Sequence, residues 1–294
     1  MLFRSLLLLI FLISCSESKE LKSDSNNENN FFEFISTLKL PTNLDFCGEK
    51  IPLEIPEVKE RAEREFYLLL QQPGQLILYL KRSGRYFPMY EKILKENKVP
   101  DDLKFLSVAE SALYMSRSSK DAVGLWQFIP ETGRRMGLQI DDYVDERRHP
   151  EKSTIAAIKY LKEGYRNHKS WILAAAGYNV GHENILENMK YQNAEDFFEL
   201  FLNEETSRYI LRIIIIKELM TNPYKYGLKI TECEVYPPEE TKIVKVDTNI
   251  VNLSEWAKQY GTTYKYIRLH NPWILQRRLP SPQKGSSWEI AVPK

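Results

Sequence analysis

Four consecutive isoleucines, Ile213 to Ile216, sit in the middle of a stretch from Glu205 to Met220 that reads as one long helix. A helix spreads four successive residues right around its circumference, so this one has no polar face at its centre and must be enclosed by other elements. Four apolar residues are far too few to cross a bilayer. The enclosing partners are therefore other helices of the same chain, and upstream they are legible. Val58, Ala62, Phe66, Leu69 and Leu70 give a helical face from Glu57, ended by Pro73-Gly74. Gln75 to Lys81 reads as a short helix, Arg82 to Tyr86 as a turn, and Phe87 to Asn97 as a further helix. Val99-Pro100-Asp101-Asp102 opens the next, with proline and acids in the first turn. Pro130 opens a helix that stops at Gly137, and Pro150 opens one whose core face holds Ile155, Ala156, Ile158, Tyr160 and Leu161. Trp171 to Gly177 is a small-residue helix that permits close approach, and Ala194 to Asn203 reads as a short one. Asp141 to Arg148 reads as a charged loop in which Asp145 and Arg147 pair.

Leu228 to Thr241 changes texture. Pro237-Pro238-Glu239-Glu240 is a stiff linker, and beyond it Ile243-Val244-Lys245-Val246 alternates as a strand. Two short helices follow, from Leu253 and from Tyr264, and Trp288 to Pro293 closes as a second strand. The expected fold class is α+β: a mainly helical domain over 57–230, a linker over 231–241, and a small βααβ domain over 242–294.

The chemistry centres on Phe105 to Gly133. Phe105, Leu106, Ala109 and Leu113 share a helical face that ends beside a carboxylate, Glu110. A Ser-rich loop follows, then Gly124-Leu125-Trp126-Gln127-Phe128-Ile129-Pro130. Apolar surroundings strip water from a carboxylate and raise its pKa, and an acid protonated near neutrality can donate to a leaving oxygen. The alternative is a solvated glutamate beside a core tryptophan.

Glu110-Ser111 followed by Gly124-Leu125-Trp126-Gln127-Phe128-Ile129-Pro130-Glu131-Thr132-Gly133 resembles the catalytic signature of lytic transglycosylases of the soluble-lytic-transglycosylase type. Ala176-Gly177-Tyr178-Asn179-Val180-Gly181 resembles their second motif, and Glu205-Thr206-Ser207-Arg208-Tyr209-Ile210 their third. Three motifs in order form a specific signal. The nearest subgroup is the membrane-bound murein transglycosylase D type. The resemblance implies a lysozyme-like catalytic domain, Glu110 as single acid and base, and substrate contacts from Ser111, Gln127, Tyr178, Asn179 and Tyr209. It implies cleavage of the MurNAc-GlcNAc β-1,4 bond with formation of 1,6-anhydromuramic acid, no cofactor and no metal. Leu253, Ala257, Tyr260-Gly261-Thr262, Asn271-Pro272 and Ile290 to Pro293 resemble a LysM carbohydrate-binding module, although Val246-Asp247-Thr248-Asn249 replaces the usual Gly-Asp-Thr-Leu. The alternatives are a goose-type lysozyme that hydrolyses the same bond, and a non-catalytic peptidoglycan-binding lipoprotein.

A net charge of +1 lacks the basic footprint of a nucleic-acid binder, and four histidines with no paired spacing offer no zinc motif. The expected partner is the peptidoglycan glycan strand. Residues 1–15 read as an export signal: an apolar run from Leu6 to Ile13, then Leu12-Ile13-Ser14-Cys15, which resembles a bacterial lipobox with Cys15 as the lipidated residue. Two or more acyl chains anchor a protein firmly. The expected place is thus the periplasm, tied to the outer membrane. Ser16 to Asn30 is a polar tether with no periodicity, and Phe31 to Pro56 is expected to be extended. Cys47 and Cys233 flank the helical region, and in an oxidising compartment the sequence leaves a disulfide between them open.

Overall fold

The computed structural model describes residues Asn26–Lys294. The export signal, Cys15 and the first part of the tether lie outside the described residues. The first described element, α1 (Asn26–Thr37), is a helix that includes the end of the expected tether and the start of the expected extended segment. Phe31, Phe34, Ile35 and Leu38 are spaced three, four and seven apart, which is a helical period the prolines further on disguise. It belongs to a separate unit, Met1–Lys39.

The second unit, Leu40–Lys294, opens with a two-stranded hairpin, β1 (Asp45–Phe46) and β2 (Glu49–Lys50). Its turn residues Cys47 and Gly48 both have positive φ, the geometry two-residue hairpins favour. The helices are α2 (Pro56–Leu70), α3 (Pro73–Glu96), α4 (Lys104–Ser111), α5 (Pro130–Arg135), α6 (Pro150–His168), α7 (Trp171–Val180), α8 (His182–Gln192) and α9 (Glu204–Thr221). At the centre, α9 packs against α2, α3, α4 and α7, and Ile213 to Ile216 are buried completely. Glu65 of α2 is buried too, and Arg208 and Arg212 of α9 both reach it.

Two sequence expectations are corrected here. The stretch read as two helices and a turn between Gln75 and Asn97 belongs to one helix of 24 residues, Pro73–Glu96, even though Pro88 lies inside it. Gly84 lets the later linker lie against this helix: a Cβ there would meet Val235 at 2.1 Å and the Tyr236 carbonyl at 2.9 Å. The Tyr236 N–H also donates to the Lys81 carbonyl, so the later linker packs along this helix and covers the place where a turn was expected. Ala194 to Asn203 is irregular, because Asn193 ends α8 in a left-handed conformation and the Asp196 carboxylate holds the Phe198 and Glu199 N–H groups in a turn. The helix lies just before it, as α8.

The pairing of the cysteines, which the sequence leaves open, is not made in the structure. Cys47 and Cys233 are both free thiols. Cys47 lies at the tip of the β1–β2 hairpin, where its N–H donates to Asp102, and burial pushes its thiol pKa far up. Cys233 lies exposed in a one-turn 3-10 segment, Glu232–Glu234, next to the Thr231 hydroxyl. Each is fixed by its own neighbours.

The C-terminal part has the expected strand–helix–helix–strand order: β3 (Thr241–Val246), α10 (Leu253–Gln259), α11 (Tyr264–His270) and β4 (Trp288–Pro293). The strands pair antiparallel, from Thr241 opposite Pro293 to Val246 opposite Trp288. Asn271 ties α11 to β4, donating to the Ala291 carbonyl at 2.6 Å and accepting from its N–H at 2.8 Å.

Candidate active site

A cleft of about 570 Å³ opens where α4, α7 and α9 meet the loop before α5, and Glu110, Gln127, Phe128, Tyr178, Asn179 and Glu205 line it. Glu110 occupies the last turn of α4. That helix cannot continue, because Ala112 and Leu113 are both left-handed, with φ of 54° each. Such conformations cost of order 1–3 kcal/mol per residue and persist only where the surroundings impose them. Here Leu113 is buried in the core, and Arg82 of α3 donates to the Ala112 carbonyl at 2.9 Å.

Among the described residues the Glu110 carboxyl has one hydrogen-bond partner, the Tyr209 hydroxyl of α9, which donates to its Oε1 at 2.5 Å. The half-buried Glu110 side chain forms part of the cleft wall, and burial raises its pKa from 4.5 to about 7. The Tyr209 hydrogen bond and Arg212 pull it down, while the nearby Glu205 carboxylate pushes it up. Tyr178 and Tyr209 are both held well above the usual phenol range by burial and by Glu110, so both remain donors. A buried acid that gains and loses its proton near neutrality is suited to acid and then base work at one atom.

The loop after α4 is hung from the core by its carbonyls. The Ser107 and Ser111 hydroxyls both donate to the Leu125 carbonyl at 2.9 Å. Tyr178 donates to the Trp126 carbonyl at 2.7 Å. Trp126 itself is wholly buried, and its Nε1 donates to Thr154 of α6 at 2.8 Å. Gly124 has φ of +89°, and its backbone lies so close to the Arg147 carbonyl that a Cβ would stand 2.1 Å from it. Gln127 is left-handed, with φ of 47°, which throws its side chain back over the loop, where Nε2 donates to the Gly124 carbonyl at 2.7 Å.

Of the residues that the three motifs single out, Glu110, Gln127, Tyr178 and Asn179 share the cleft, and Tyr209 reaches it through Glu110. Asn179 accepts from Thr206 at 3.1 Å, and its amide N–H groups have no protein partner among the described residues. Ser111 is placed differently: its hydroxyl is buried and engaged with the Ser107 and Leu125 carbonyls rather than turned to the cleft. Sequence reasoning did not single out Glu205 or Tyr160, which both line the cleft. Glu205 opens the third motif, which is a usable signal, whereas Tyr160 follows the ordinary apolar period of α6. Among the described residues, no group of three His, Cys, Asp or Glu side chains is placed to hold a metal.

The Tyr209 bond has a measurable consequence. Removing a donor from an ionised carboxylate costs about 1.5–3 kcal/mol, so Tyr209→Phe should raise the Glu110 pKa by about one unit or more. Carboxyl-carbon NMR titration of the variant checks this, and an unchanged or lower pKa contradicts the assignment.

Residues 88–201 match the family described as Transglycosylase SLT domain. Residues 242–294 match the Soluble lytic transglycosylase C-terminal LysM-like domain. The chain is similar to the membrane-bound lytic murein transglycosylase D of Escherichia coli (strain K12), at 28% identity over 236 residues, which covers 78% of this chain and 51% of that protein. The protein of the same name from Escherichia coli O6:H1 gives the same figures. The chain thus spans about half the length of the curated relatives it matches. Glu110, the loop that carries Gln127, and Tyr178 and Asn179 all fall within the first matched segment, and the strand–helix–helix–strand unit coincides with the second. The chain therefore carries a transglycosylase SLT domain joined to a LysM-like domain of the kind that soluble lytic transglycosylases bear at their C-terminus.

Proposed function

We propose that the chain is a peptidoglycan lytic transglycosylase with Glu110 as its only acid and base. The observation that carries the reading is the Glu110 carboxyl, sunk in the cleft with a pKa near 7 and held by a single neutral donor, Tyr209. In the first step, protonated Glu110 gives its proton to the oxygen between N-acetylmuramic acid and N-acetylglucosamine. The bond from that oxygen to the anomeric carbon breaks, and positive charge develops on the carbon. Glu110, now a carboxylate, takes the proton from the C6 hydroxyl of the same sugar, and O6 bonds to the anomeric carbon. The 1,6-anhydro ring closes, the acid is restored and no water is consumed. Gln127 and Asn179 would hold sugar amides and hydroxyls, while Tyr178 fixes the loop under Gln127.

One observation favours a second reading. Glu205 brings another carboxylate to the cleft, and glycosidases that hydrolyse use two. A goose-type hydrolase would then use Glu205 to activate water. Digestion of purified sacculi separates these outcomes. Soluble muropeptides without reducible muramic ends are expected, reducible ends would favour hydrolysis, and no release would favour a non-catalytic binder.

The proposed place of action is the periplasmic face of the envelope. Among the described residues no helix is long and apolar enough to cross a membrane. Attachment would fall to lipid on Cys15, with the outer membrane as the expected site. Wild type should partition with membranes and incorporate labelled lipid, and Cys15→Ala should do neither. A wild type that is soluble and unlabelled would rule the anchor out.

A further inference from the structure

The LysM-like module shares a strand pairing with the catalytic domain. The Asp141 carboxylate accepts from the N–H groups of Tyr143 at 2.8 Å and Val144 at 3.0 Å, which folds Ile140 to Asp145 into a tight turn. The turn pairs antiparallel with the module through Val144 and Ile274. The Asp145 N–H donates to the Trp273 carbonyl and the Leu275 N–H to the Tyr143 carbonyl, both at 2.8 Å. Val144 is wholly buried and belongs to the module's own apolar core. Trp273 stacks on His149 of the catalytic domain, with ring centres 5.9 Å apart.

From Asp145 the connection leads to the cleft. Its carboxylate takes two hydrogen bonds from Arg147, at 2.9 and 2.8 Å, with both side chains buried. The remaining guanidinium nitrogen of Arg147 donates to the Asp121 carbonyl at 2.8 Å and to the Phe128 carbonyl at 3.0 Å. Those two carbonyls bracket the loop that carries Gln127. The fixed planar fork of arginine transmits the position of Asp145 to both ends of that loop at once. Within the charged loop, Val144 to Arg147 are buried where the two domains meet, while Asp141 and Asp142 stay exposed.

We propose that the LysM-like module is part of the scaffold of the cleft: Trp273 and Ile274, acting through Asp145 and Arg147, hold the Asp121–Phe128 loop in the shape that receives substrate. Trp273 is thus a positioning residue. Glu110 is held separately, by α4 and Tyr209, so the module sets how substrate is gripped rather than how the proton moves. The linker is fixed elsewhere, with Tyr236 on the Lys81 carbonyl and Glu239 between Arg85 and His270, so a broken seam leaves the module attached.

The test is amide hydrogen exchange on the full chain carrying Val144→Asp, which forces a carboxylate into the module's core and opens the seam. The Val123 and Gly124 amides, bonded to the Phe128 and Ser116 carbonyls, should exchange about fivefold faster or more, the worth of one backbone hydrogen bond. The Ile213 to Ile216 amides of α9 should keep their wild-type rates. Loop amides that also keep wild-type rates would overturn the proposal. If α9 itself loosens in Val144→Asp, Trp273→Ala decides on the same criterion. Exchange is independent of the reaction, so this result stands or falls apart from the proposed activity. With a soluble glycan oligomer, KM should rise several-fold while kcat and the alkaline limb of the pH profile stay in place. An unchanged KM in a variant whose seam is open would also overturn it.

Discussion

Glu110→Gln should abolish muropeptide release and make the protein more stable above neutral pH. Both effects follow from one carboxyl. The variant cannot donate a proton to the leaving oxygen or take one from the C6 hydroxyl, so activity should fall to background. Its stability gain comes from linkage. Unfolded, Glu110 titrates near 4.5, and folded it titrates at about 7, because burial disfavours its charge. Between these values the folded state holds a proton that the unfolded state has lost, so the wild type loses stability as pH rises through that window. Glutamine carries no such penalty. The advantage of the variant should be absent below about pH 4, grow through the window, and level off above about pH 8, with a ceiling of about 3 kcal/mol. Tyr209 can still donate to the glutamine oxygen, so the packing is conserved. Urea unfolding at a series of pH values, beside a sacculus assay, measures both effects. A variant that is inactive but less stable at pH 8 would mean that Glu110 is a structural carboxylate.

Asp145→Ala should be the most damaging single change to the fold near the cleft. It strips the buried Arg147 guanidinium of its two carboxylate hydrogen bonds and leaves only Asp121, at 4.0 Å, as a counter-charge, at a cost of about 3–5 kcal/mol. The loop that Arg147 holds through Asp121 and Phe128 should loosen with it. The adjacent Arg117–Asp121 pair provides the contrast. Both members are exposed, and Arg117→Ala should change stability by less than about 1 kcal/mol. Equal effects of the two substitutions in urea unfolding would contradict the assigned burial.

Where the sequence was readable, local chemistry and final packing agreed. Pro130 and Pro150 open helices, Gly137 follows the end of one, and the four isoleucines of α9 occupy the centre of the helical domain. Glu110 and the loop with Gln127 were legible as motifs. What was not legible depends on groups distant in the chain. Arg82 to Tyr86 looks like a turn until Val235 and Tyr236 close over Gly84. Asp145 and Arg147 read as an ion pair, and what the sequence does not show is that the Trp273 carbonyl takes the Asp145 N–H and so ties the pair to the second domain. Ser111 follows the acid directly, and its orientation is decided by the Leu125 carbonyl fourteen residues on.

The central claim, that Glu110 alone carries a reaction in which water takes no part, is tested most directly by digesting sacculi in water enriched in oxygen-18. The expected muropeptides end in 1,6-anhydromuramic acid and contain no heavy oxygen, for wild type and for Glu205→Gln alike. Reducible muramic ends labelled with oxygen-18, lost in Glu205→Gln, would contradict it and identify a two-carboxylate hydrolase.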